Sequence, residues 1–137
     1  MPALTHLSLV TPASIKFDGD VEIVIAPGAA GDLGVLANHA PLLTSLRAGV
    51  VKANAVEAGR IEFAVDGGFM QVVKDRVIVL TETALTAQEV DVEAARSDLK
   101  RAEEALALKK GGDETDERQA KAWAQARLDV THRPVSA

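Results

Sequence analysis

Cysteine is absent from this chain of 137 residues, which removes disulfides and thiolate metal sites. The absence fits a reducing compartment without fixing one. Aromatic residues are nearly absent too, with three Phe and one Trp. Large rings bury the most area per side chain, so the core must be assembled from Val, Leu, Ile and Ala through many small contacts. Long apolar runs are also missing. Val77 to Leu80 is among the longest and falls far below the roughly 20 residues of a membrane-crossing helix. No basic start followed by an apolar stretch opens the chain, so no secretory signal is expected. A membrane would be reached only through a partner.

There is no excess of basic residues either. The net charge is −5, from interleaved acids and bases, and no basic stripe suggests a nucleic-acid partner. With 47% hydrophobic and 26% charged residues, the composition is that of a folded soluble protein rather than a disordered one.

The chain has two halves of different character. Before Thr86 lie every Ile, every Phe and eight of the ten Gly, the vocabulary of short strands and tight turns. Ile61, Phe63 and Val65 alternate with polar or small neighbours, and Val21, Ile23 and Ile25 do the same, so each set should line one face of a strand. Breaks are expected at Pro12, Gly19-Asp20, Pro27-Gly28, Gly49, Gly59, Gly67-Gly68 and Lys74-Asp75. Without crossover helices the sheets should be mostly antiparallel, giving a β-sandwich or flattened barrel over residues 1–85.

Residues 86–137 hold 20 of the 35 charges and eleven Ala, which is helix vocabulary. Thr86-Ala87-Gln88-Glu89 reads as a capping box that starts a helix. Val92, Ala95, Leu99, Ala102 and Leu106 form one apolar seam, Gly111-Gly112 stops the helix, and Ala120, Trp123, Ala124 and Leu128 form a second seam that Pro134 closes. An antiparallel helical hairpin follows. Its seams are mostly methyl groups, which bury little area against the backbone entropy of ordering, so the arm should be able to detach.

The densest motif is Gly31 to Thr44, GDLGVLANHAPLLT. Two glycines, an Asn that tolerates left-handed geometry and a Pro that fixes its own φ describe a shaped corner, after which Leu42 and Leu43 should enter the core. Gly28, Gly31 and Gly34 are spaced for neither standard phosphate-binding loop, so they read as turn punctuation. His39 has no nucleophile or ligand partner patterned near it, and His6 and His132 make no metal spacing with it. It reads as a surface or interface residue. Asp18, Asp20 and Glu22 lack calcium-loop spacing and read as a solvated turn. No catalytic group, metal or cofactor is expected. A small β-sandwich module for a nucleotide or sugar, with a helical tail, stands as the alternative; it requires a concave pocket.

The Gly31–Thr44 stretch, the Phe17-Asp18-Gly19 and Val65-Asp66-Gly67-Gly68-Phe69 turns, and the run Val77 to Ala84 closely resemble the ATP synthase epsilon subunit family. That resemblance implies a ten-stranded sandwich seated on the membrane ring of c subunits beside the gamma subunit, followed by a helical hairpin. It implies a non-catalytic rotor role at the cytoplasmic face of the bacterial inner membrane, coupling proton flow to ATP formation on other subunits. Asp32 would face the polar loops of the c ring; His39, with Pro41 and Leu42, would belong to the partner interface near gamma. The hairpin would extend toward the alpha/beta catalytic head to restrain ATP hydrolysis. Some members bind ATP through a motif that here reads Val90-Asp91-Val92-Glu93-Ala94-Ala95. Ala94 occupies the arginine position and Arg96 lies roughly 200° around the helix from it, so weak or no ATP binding is expected.

Overall fold

A computed structural model of the chain describes residues 3–109 and 111–132. Nine strands come first: β1 (Thr5–Val10), β2 (Ile15–Gly28), β3 (Gly31–Leu36), β4 (Leu42–Leu46), β5 (Gly49–Ala55), β6 (Gly59–Val65), β7 (Gly68–Val73), β8 (Arg76–Leu80) and β9 (Ala84–Leu85). A single 3-10 turn at Ala87–Glu89 leads into α1 (Val92–Leu108) and α2 (Thr115–Val130). The chain is thus a mostly antiparallel β-sandwich followed by a helical hairpin, as its composition indicates. One pair is parallel: β1 runs alongside β8, with His6 opposite Arg76 and Val10 opposite Leu80.

One layer holds β4, β7, β8, β1 and the first half of β2; the other holds β3, the second half of β2, β5, β6 and β9. β2 is long enough to serve both. Between its halves, the three steps from Val21 to Val24 face only the two from Ala55 to Ala53 on β5. One extra residue turns every later side chain to the other face of the sheet. The simple alternation of Val21, Ile23 and Ile25 therefore fails: Val21, Val24 and Ala26 are buried, and Ile25 is 38% exposed. Counting the halves of β2 separately turns the nine strands among the described residues into the ten that the resemblance implies.

The break expected at Gly19-Asp20 does not form, because Gly19 sits inside β2 opposite Leu7. A Cβ there would lie 3.1 Å from Cζ of Phe17, so the glycine makes room for that ring within a strand. Phe17-Asp18-Gly19 is strand, not turn. Between the layers, Leu7, Leu9, Val24, Val35, Met70, Val72, Val77 and Val79 are buried in one cluster. Aliphatic residues do fill the space left by the scarce aromatics.

The helix start also differs. The Glu89 carboxylate reaches back to the Thr86 amide at 2.9 Å, yet this closes only the 3-10 turn, and Val90 is extended. Lys16 from β2 grips the same carboxylate at 2.9 and 3.0 Å, tying the turn to the sheet. The α-helix begins at Val92, capped by Asp91, whose carboxylate accepts from the Ala94 amide at 3.1 Å.

In the hairpin, Ala95 and Leu99 of α1 pack on Ala124 and Leu128 of α2. Ala120 is exposed, which corrects its place in the seam. A second row on α2, Ala126 and Val130, packs on Ala64 of β6, flanked by Val50 and Trp123. α2 is therefore held between α1 and the sheet, and buries residues on two sides. Gly111 and Gly112 take φ of +83° and +77°, a left-handed stop that other residues adopt reluctantly. Asp113 closes the start of α2 by accepting from the Thr115 amide at 2.9 Å. Lys110 and Pro134 lie outside the described residues.

Candidate functional site

Of the two residues singled out in the motif, Asp32 lies at the start of β3 and His39 lies beyond its other end. At one end, Gly28-Ala29-Ala30-Gly31 forms the β2–β3 tip. A Cβ on Gly28 would meet the Gly31 carbonyl oxygen at 2.5 Å, and Gly31 has a φ of +141°. Gly34 has neither constraint and lies in open space, so only two of the three glycines serve the turn. Beside this tip stands Asp32, ion-paired with Arg47 in the β4–β5 connection, while Arg47 also donates to the Gly28 carbonyl. The pair is exposed on both sides.

At the other end, residues 37–41 cross from one layer to the other. Asn38 has a φ of +66° and donates its amide to Oδ1 of Asp75 at 3.2 Å, which fixes the crossing to the β7–β8 turn. His39 is half-buried, with Nδ1 2.7 Å from the Ala40 carbonyl oxygen. Pro41 is exposed, and Leu42 packs against the core edge. Leu43 does not enter the core as its sequence suggests: it is 70% exposed, because successive residues of a strand point to opposite faces. Asp32 and His39 are thus not brought together; His39, Pro41 and Leu42 are.

The two faces of the sandwich differ. α2 covers β5 and β6. Among the described residues no helix covers the face of β4, β7 and β8, and there Leu43, Phe69, Val73 and Leu80 stand exposed. Its polar margin is His6, whose ring nitrogens lie 2.8 Å from Asp18 and 3.0 Å from Asp20, with Ser8 donating to Asp18 at 2.7 Å. Hydrogen bonds that His6 donates to Asp20 and then Asp18 raise its pKa, and those that Asp18 accepts from Ser8 and then His6 lower its own. Asp18 and Asp20 therefore belong to a strand-borne clasp, not a turn.

Among the described residues no group of three His, Cys, Asp or Glu converges as a metal site, and no helix is long and apolar enough to cross a membrane. A groove between α2 and the sheet is lined by Asp32, Arg47, Lys52, Glu62, Asp129 and His132 among others. Arg47 and His132 are already paired there with Asp32 and Glu62. In the Val90–Ala95 motif, the Asp91 carboxylate is engaged as a helix cap, and Ala94 is exposed with only a methyl to offer. Sequence reasoning missed Arg47, which lies 15 positions from its partner with no local pattern to mark it. It also missed Asp66, whose Oδ1 accepts from Thr81 Oγ1 at 2.9 Å and the Thr83 amide at 3.1 Å.

A sandwich of this topology with a helix-covered face and an open one defines a class. Residues 4–87 match the family model of the beta-sandwich domain of the ATP synthase Delta/Epsilon chain. The chain is 41% identical to the ATP synthase epsilon chain of Desulforamulus reducens over 117 residues, 85% of this chain and 86% of that one. It is 46% identical to that of Pelotomaculum thermopropionicum, over 76% of this chain and 77% of that one. Against that of Alkalilimnicola ehrlichii it is 37% identical over 93% and 92%. A chain in the cryo-EM structure of the Euglena gracilis mitochondrial ATP synthase, OSCP/F1/c-ring in rotational state 1, shares its fold at a TM-score of 0.80 and 20% identity, covering 97% of this chain and 84% of that one. The chain belongs to the ATP synthase epsilon-chain family, a non-catalytic subunit of that complex.

Proposed function

We propose that this chain serves in the central-stalk rotor of a proton-driven ATP synthase, joining the c ring to the gamma subunit so that ring rotation is coupled to ATP formation elsewhere in the complex. The observation that carries this reading is the uncovered face of β4, β7 and β8, where Leu43, Phe69, Val73 and Leu80 lie exposed. On a surface otherwise rich in charge, several large apolar side chains exposed on one sheet face mark a place that a partner covers. His39, Pro41 and Leu42, at the entry to β4, would extend that contact toward gamma. Asp32, at the far end, would meet the polar loops of the ring with its geometry held by Arg47.

On this reading residues 1–85 dock and residues 86–137 regulate, with the hairpin lifting toward the alpha/beta head to restrain hydrolysis. The chain would lie peripherally on the cytoplasmic face of the bacterial inner membrane, held there by the complex. Adding the full chain, or a chain ending at Leu85, to ATP synthase stripped of this subunit tests both parts. Both should restore coupling, and the shorter one should allow faster hydrolysis. Equal hydrolysis rates would remove the restraining role.

A further inference from the structure

β3 pairs with β2 on one side, and among the described residues no other strand lies along its far edge. The register shows which peptide groups point there. The Arg47 amide donates to the Pro27 carbonyl at 2.9 Å, so Pro27 turns its carbonyl away from β3. Asp32 lies opposite Pro27, and bonded and non-bonded pairs alternate along an antiparallel ladder. Asp32, Gly34 and Leu36 therefore turn their peptide groups outward, where only the Leu36 carbonyl meets a backbone donor, the His39 amide at 3.2 Å. Strand edges are ordinarily blunted by Lys, Pro, a bulge or shortness. β9, at the other margin of this layer, is two residues long. β3 has six residues with no Lys, no Pro and no register shift, and its one charge, Asp32, is paired with Arg47. Gly34 is the odd residue in it. Neither a positive φ nor a close neighbour requires glycine there, and glycine inside a strand often marks the close approach of another backbone. On the same outer face, Leu36 is 59% exposed, and Ile25, opposite Gly34 on β2, is also exposed.

We propose that the free chain forms a two-fold dimer by antiparallel pairing of β3 with β3 of a second copy, the axis passing at Gly34. The edge is complementary to itself, as an interface between identical copies must be. With the axis there, Gly34 faces Gly34 of the second copy and exchanges both backbone hydrogen bonds with it, while Leu36 faces Asp32 on either side. Each Leu36 then leans diagonally across the bare Gly34 of the other copy toward the Ile25 behind it. An axis at Asp32 would instead set two carboxylates directly opposite, which is unfavourable. Three outward residues per strand make a contact below the roughly 1,200 Å² of a stable interface. The dimer is therefore weak, with a dissociation constant on the order of 100 μM. Because Asp32 lies within the pairing, a paired chain cannot also present that residue to a ring, so the dimer is a state of the chain outside the complex. It does not depend on the rotor reading.

Sedimentation equilibrium and amide exchange on the full chain, from about 10 μM to about 1 mM, test the pairing. A monomer–dimer equilibrium is expected. Across that range the amides of Asp32, Gly34 and Leu36 should gain about threefold protection, while those of Leu33 and Val35, which face β2, change little. Leu36→Asp sets a carboxylate opposite Asp32 of the second copy, and Gly34→Asp sets one opposite itself. Both positions are exposed, so the fold should hold, and each variant should raise the dissociation constant at least about tenfold. Leu43→Asp, on the other layer, should leave it unchanged. A chain that stays monomeric to about 1 mM, a dimer equally tight in Leu36→Asp and Gly34→Asp, or one lost only in Leu43→Asp would overturn the proposal.

Discussion

Phe69 stands opposite Leu80 across the β7–β8 pair, and both side chains face outward, 57% and 51% exposed. Such a pair gains little from the chain's own folding and much from a partner that covers it. Replacing both by Ser should leave unfolding free energy within about 1 kcal/mol. Association with gamma should weaken at least about tenfold, since aromatic anchors in a covered patch carry most binding energy. Chemical denaturation and a binding titration on the same variant separate the two effects. A large stability loss with unchanged binding would place the patch in the fold instead.

Two glycines divide by geometry. Gly68 has a φ of +127°, and an added Cβ would collide with the Leu80 carbonyl and lie 3.1 Å from Cα of Thr81. Backbone cannot yield as a flexible side chain can, so Gly68→Ala should cost more than about 2 kcal/mol. Gly34, with open space around it, should accept Ala within about 0.5 kcal/mol. Urea unfolding of the two variants compares them directly.

The His6 clasp gives stability a pH slope of known sign. Its pKa is raised above 6.5 in the folded chain by Asp20 and Asp18, so the native state holds the proton more tightly than the unfolded one. That contribution is full below 6.5 and is lost as pH rises through the raised value. Asp18, whose pKa is lowered, works in the opposite sense: its contribution is present above its unfolded value of 3.8 and is lost as pH falls through the folded one. Melting temperature should therefore decline from about pH 6 to about pH 8, and His6→Asn should flatten that decline. An identical slope in the variant would assign the titration elsewhere.

Calorimetric titration with ATP should give no binding at micromolar concentration. Asp91 is engaged with the Ala94 amide, and Ala94 supplies no cation. Micromolar affinity would mean that other side chains, with Arg96 the first to examine, complete a site.

Much of the fold is legible in the sequence, for local reasons. Period-two runs mark Ile61, Phe63 and Val65 as an inward row, and Gly111-Gly112 ends α1 because few other residues take that backbone easily. What escapes is what depends on distant pairing. The bulge after Val21 exists only against β5, so the inversion of Ile25 has no local sign. Gly19 looks like a turn until Phe17 is seen folded over it. Ala126 and Val130 look like a polar helix's spare methyls until Ala64 lies beneath them. The motif Gly31 to Thr44 is legible as a corner, but Arg47, which fixes Asp32, comes from beyond it, in the β4–β5 connection.

Co-purification with gamma and the c ring tests the rotor reading most directly. The full chain should bind both, the open-face double variant should lose gamma, and Asp32→Ala should weaken the ring contact while the fold stays intact. A well-folded chain that binds neither gamma nor the ring would contradict the central-stalk role.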